Sequence, residues 1–287
     1  MKVSRDVLIT IALLACSMCA IAGKIEDYHA KMIGRGESMY PSLDARRKIG
    51  GASVFLVAGD IFSFVRDSSG AKSDFPVDAL IISTNVDLDW NSDNPRIQRQ
   101  LRDLLPKNSF QIVASKFKEK KTLGPVTEPL VVDLGATSPS PRYLCFLATD
   151  LANGGTYNSD EWQVFLKFEN IGEGVKNCLL ALGPVKTVVV PLIGASINPS
   201  VEKVNYVSDN TLRAEHISRR VRSLMGIVKG IKDASPKSGE IGIIVWEKDI
   251  SVIIDPKLRD GRKYENYSKP ATYWDLRKQF LAVMNDQ

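Results

Sequence analysis

Ser53-Val-Phe-Leu-Val-Ala-Gly-Asp60-Ile61 and Val77-Asp78-Ala-Leu-Ile-Ile-Ser-Thr-Asn85 are the stretches whose reading decides the fold. Each is a Val/Ile-rich run, short enough for a strand, that passes directly into a polar turn. A third stretch of this kind, Thr187-Val-Val-Val-Pro191-Leu-Ile-Gly194-Ala-Ser196-Ile197, lies much later in the chain. In an open α/β sheet, ligands bind beyond the carboxyl ends of the strands. These three turns are therefore where a site is expected.

Around them the chain alternates. Further strands are predicted at 130–134, 143–148, 241–247 and 251–254, and helices at 94–105, 160–182, 209–231 and 273–284. The 160–182 segment carries Trp162, Phe165, Leu166, Ile171, Val175, Leu179 and Leu182 near a 3.6-residue period, and Gly183-Pro184 stops it. Strands alternating with helices imply a largely parallel sheet covered on both faces. Residues 62–76 read as an insertion and 23–51 as a polar, basic linker or cap that holds Arg46-Arg47-Lys48. The domain proper is expected over 52–250, with a strand and helix extension packing on it over 251–287.

The chain is long enough to bury a large core, and its 44% hydrophobic and 25% charged residues are ordinary for a globular protein. Net charge is +5 overall and about +4 without Lys2, Arg5 and Asp6, which gives no reason to expect a nucleic-acid partner. The mixed run Lys-Phe-Lys-Glu-Lys-Lys at 116–121 reads as a solvated face or loop.

At the amino terminus, Lys2 and Arg5 precede an uncharged stretch over 7–22 that ends Ala20-Ile21-Ala22. That stretch is short of the about 20 residues a spanning helix needs, and it reads first as a cleaved signal peptide. Two rivals stand beside it: a lipoprotein box at Leu13-Leu14-Ala15-Cys16, and a retained membrane anchor. All three imply an exported or membrane-attached protein. Cys145 and Cys178 fall in apolar segments and read as buried small hydrophobes, with a disulfide as the alternative in an oxidising compartment.

The segments Gly59-Asp60-Ile61, Val77-Asp78-Ala79 leading to Asn85, and Pro191-Leu-Ile-Gly194 resemble those of macro domains, which bind ADP-ribose. The resemblance covers about residues 52–248. It implies a three-layer α/β/α macro-domain-like mixed sheet. It further implies that Asp60, with Ile61, reads the adenine amino group, that Asn85 meets the distal ribose, and that the turn of Gly194, Ala195, Ser196 and Ile197 presents backbone N–H groups to a diphosphate. An ADP-ribose-like or other adenine nucleotide is the implied ligand, and sensing of an NAD-derived signal through the amino-terminal segment is an implied role.

The chain departs from that pattern in ways that bear on activity. Ile82 stands at the family's first asparagine, and Ser196 at its later glycine. The glycine-rich loop that should follow Asn85 is Val86-Asp-Leu-Asp-Trp-Asn-Ser-Asp93, without glycine, so backbone cannot approach a pyrophosphate so freely. Hydrolysis of an ADP-ribose linkage and a structural protein with a degenerate cleft are therefore carried as alternatives to simple binding. No catalytic residue, metal site or cofactor is assigned. His29 lies in the linker and His216 among helix charges, and Asp87 and Asp89 read as an acidic solvated loop. Trp246 and the aromatic 264–274 segment read as packing or partner surfaces.

Overall fold

The computed structural model describes residue 25 and residues 45–65, 75–91, 96–124, 126–135, 141–150, 167–195, 209–246 and 273–285. Seven strands form one mixed sheet: β1 Arg46–Ile49, β2 Ala52–Gly59, β3 Ala79–Asn85, β4 Leu130–Asp133, β5 Tyr143–Asp150, β6 Thr187–Pro191 and β7 Glu240–Trp246. They run in the order β1-β2-β7-β6-β3-β5-β4. The five central strands are parallel, and β1 and β4 pair antiparallel at the two edges.

Alternation along each strand divides the core in two. Val54, Leu56, Ile81, Val188, Val190, Ile241 and Ile243 face α3 (Phe168–Leu182), α4 (Asp209–Ala234) and α5 (Tyr273–Asn285). Phe55, Val57, Leu80, Ile82, Phe146, Val189 and Ile244 face α1 (Arg96–Leu104), α2 (Lys107–Lys120) and the 3-10 turn Ile61–Phe64. The result is a three-layer α/β/α sandwich. Ile82, which departs from the family pattern, is 1% exposed and belongs to the second core layer.

Several expectations meet a different outcome. Arg46–Ile49 is not linker but an edge strand, joined to β2 through the two-residue loop Gly50-Gly51. Gly50 has φ +56°, and a Cβ on Gly51 would lie 1.7 Å from the Lys237 carbonyl oxygen, so this tight hairpin requires its glycines. Residues 107–120 form a helix that buries Val113 and Phe117, and the lysine run is its exposed face, with Lys116 on Glu119 and Lys120 on Glu128. Ile25, inside the expected linker, is buried over Gly242 of β7 and donates its N–H to Glu240 Oε2 at 3.1 Å. The expected strand at 251–254 and the start of the 160–182 helix lie outside the described residues.

Cys145 of β5 and Cys178 of α3 are not separate apolar side chains. They form a disulfide with Cα atoms 6.0 Å apart, which ties the sheet to the helix above it.

α3 and α4 approach closely through glycine. A Cβ on Gly230 would lie 2.4 Å from the Gly172 carbonyl oxygen, and one on Gly226 would lie 2.7 Å from that of Phe168. Gly230→Ala therefore forces the helices apart. The overpacking cost of about 1–3 kcal/mol outweighs a helix-propensity gain of up to about 1 kcal/mol. A net loss of about 1 kcal/mol, read as a lower urea midpoint at unchanged slope, is the expected outcome.

Candidate functional site

The carboxyl ends of the parallel strands line one edge of the sheet in the order β2, β7, β6, β3, β5. Asp60 follows β2 in extended conformation and caps the short 3-10 turn, its Oδ1 accepting from the Phe62 N–H at 2.9 Å. Ile61 and Phe64 anchor that turn in the core. The turn folds past β7 to pack against β6, which brings the Asp60-Ile61 segment toward the end of β6 although the two strands are not neighbours.

Beyond β6 the chain makes a turn closed by Ala195 N–H on the Leu192 carbonyl at 3.4 Å. Gly194 is its third residue, with φ +65°, where side-chain-bearing residues are strained. Ile193 and Ala195 are buried on either side, so the glycine is fixed by anchored neighbours. Ser196 and Ile197, expected to continue this turn, lie outside the described residues.

Asn85 ends β3, as expected, but its amide faces its own loop. Its Oδ1 accepts from the Asp89 N–H at 3.0 Å and its Nδ2 donates to the Asp89 carbonyl at 3.4 Å. Gln98 of α1 donates Nε2 to the same carbonyl at 2.7 Å, and Thr84 donates its hydroxyl to Gln98 Oε1 at 2.6 Å. Thr84 and Gln98 are fully buried and Asn85 is 6% exposed. Two apolar side chains pin the loop from beneath. Leu88 is buried at φ +50°, and Trp90 packs edge-on against Phe117 and Phe146 with ring centroids 5.3 and 5.9 Å apart. Arg102 Nη1 reaches the Trp90 carbonyl at 3.2 Å.

What read as an acidic solvated loop is therefore a braced one. Asp87 and Asp89 reach solvent, whereas Leu88 and Trp90 do not. Gln98 and Thr84 escaped the sequence reading. The alternation Val86-Asp-Leu-Asp-Trp was the available signal of a half-buried segment. Asp78, within the motif stretch, sits at the opposite edge of the sheet. Its Oδ2 accepts from Lys186 N, Thr187 N and Thr187 Oγ1 at 2.8, 2.9 and 3.1 Å. It locks the start of β3 to β6 and takes no part in the site.

No group of three or more His, Cys, Asp or Glu side chains with metal-binding geometry occurs among the described residues. No helix among them is long and apolar enough to cross a membrane. His29 lies outside the described residues.

The mixed α/β/α sheet, with Gly59-Asp60-Ile61, Asn85 and Pro191–Gly194 all at one strand-end edge, is a macro-domain-like fold. No family model matches the sequence, and no curated protein does. Macrodomains are among the solved structures with a similar fold. That of Thermus aquaticus DarG is 16% identical at a TM-score of 0.39, over 67% of this chain and 99% of that one. That of Mycobacterium tuberculosis DarG is 15% identical at a TM-score of 0.39, over 67% and 98%. A variant of the Oceanobacillus iheyensis macrodomain is 8% identical at a TM-score of 0.39, over 71% and 90%.

Proposed function

We propose that this edge binds ADP-ribose or a related adenine nucleotide and does not hydrolyse it. The observation that carries the reading is the 3-10 turn after Asp60 packing against β6, which brings a base-reading carboxylate toward a glycine turn suited to phosphates. A carboxylate has about four lone-pair sites, so capping Phe62 and accepting from an adenine amino group are compatible. The turn at Gly194 would present its backbone N–H to the phosphates, continued by Ser196 and Ile197, and the long Ala195 N–H bond to the Leu192 carbonyl would be exchanged for one to phosphate.

The hydrolase alternative asks the loop after β3 to hold a distal sugar and position a water. The Asn85 amide and Gln98 are instead engaged with the loop's own backbone, which favours binding over turnover.

Export belongs to the same proposal. The uncharged stretch over 7–22 behind Lys2 and Arg5 supports it, as does the Cys145–Cys178 disulfide, since such bonds persist mainly in oxidising compartments. Whether the stretch is cleaved, lipidated at Cys16 or kept as an anchor is read by mass spectrometry of the mature chain. Sensing of an NAD-derived signal would follow only from an anchored form.

Calorimetric titration of the full chain with ADP-ribose, AMP and NAD tests the binding reading. Micromolar binding that weakens about tenfold or more in Asp60→Ala is expected. A folded sample that gives no heat with any of them would leave the structural alternative, a closed ancestral cleft.

A further inference from the structure

We propose that the nucleotide favoured by this cleft ends at its phosphates, an adenosine mono- or diphosphate in preference to one carrying a second sugar. The inference rests on the reading of the edge as an adenine-nucleotide cleft and names its ligand more closely.

The strand order sets the geometry. A ligand with its base at Asp60 after β2 and its phosphates at the Gly194 turn after β6 extends next over the end of β3. Anything beyond the phosphates meets the 86–91 loop. Sugar hydroxyls need partners that both donate and accept. At the base of this loop the side-chain groups of that kind, Thr84, Asn85 and Gln98, are engaged with each other and with one backbone residue. Thr84 donates to Gln98, and Gln98 to the Asp89 carbonyl. Asn85 spends its amide on the N–H and carbonyl of that same Asp89.

A sugar that took the Asn85 amide would break bonds before making any. It would leave Gln98, which is fully buried, facing a displaced carbonyl. The loop cannot yield easily, because Leu88 and Trp90 hold it in the core beneath. Nor does a glycine in 86–91 let backbone replace the missing side-chain contacts. Gln98 is thus a positioning residue: it touches no ligand but decides what the loop can offer.

Parallel titrations of the full chain with AMP, ADP and ADP-ribose test this. The expected result is that ADP or AMP binds at least as tightly as ADP-ribose. In Gln98→Ala, which opens the clasp, the preference should move toward ADP-ribose by about threefold or more. The ratio of two dissociation constants from one sample is insensitive to the folded fraction, so partial unfolding of the variant does not obscure it. ADP-ribose binding about tenfold tighter than ADP in the unsubstituted chain would overturn the inference and leave the adenine cleft standing. A ratio unmoved by Gln98→Ala would remove the clasp as its cause. Absence of binding by all three would overturn the cleft itself, and the inference with it.

Discussion

Replacement of both Cys145 and Cys178 by alanine is expected to lower the unfolding free energy by about 3–4 kcal/mol. The two are 33 residues apart in sequence, and a cross-link over a loop of that size removes roughly that much chain entropy from the unfolded state. Both side chains are fully buried between β5 and α3, so alanine also leaves a small void at the sheet–helix contact. Urea unfolding of the oxidised protein, the reduced protein and the double variant reads this directly. Reduced and double-variant proteins should unfold at similar, lower midpoints. Coincident curves for oxidised and reduced samples would mean that the bond adds nothing to stability.

Asp78→Ala is the second large effect, a loss of about 2–4 kcal/mol. The carboxylate accepts three hydrogen bonds from Lys186 and Thr187, and bonds to a charged acceptor are the stronger kind. The Asp78 N–H in turn donates to Thr187 Oγ1 at 2.8 Å, so the two strand starts clasp each other from both sides. Thr187 is 7% exposed, and its amide would be left in a nearly dry place without its acceptor. Asp78→Asn keeps one acceptor oxygen and should recover part of the loss. Chemical denaturation at neutral pH ranks the three proteins. Nucleotide affinity of the folded fraction should stay the same, because the clasp lies at the edge of the sheet opposite the site. A variant as stable as the parent would show that water replaces the carboxylate without cost.

Where the sequence was legible, a periodic signal had a single physical meaning. Val/Ile runs bounded by polar turns gave the strands from β2 to β7. The 3.6-residue apolar stripe closed by Gly183-Pro184 gave the end of α3, which stops at Leu182 with Gly183 at φ +67°. The hairpin at Gly50-Gly51 was available too, because a glycine pair between β-type runs is a turn signal. The basic cluster Arg46-Arg47-Lys48 concealed it by suggesting linker. In α2, charges likewise outweighed a legible stripe of Phe110, Val113 and Phe117.

The sequence by itself determined the class of fold and the three turns at which to look. Strand ends and their succession along the chain follow from local pattern, and local pattern is a property of neighbours in the chain. Tertiary structure alone decided the partners. That Cys145 meets Cys178, that Asp78 belongs to β6 and not to the cleft, and that Gln98 reaches back to clasp Asp89 are contacts between distant segments. The same holds for Asn85. Its identity suits either a sugar or a turn, since one amide both donates and accepts. Only the packing of Leu88 and Trp90, which brings Asp89 beneath that amide, decided which it serves.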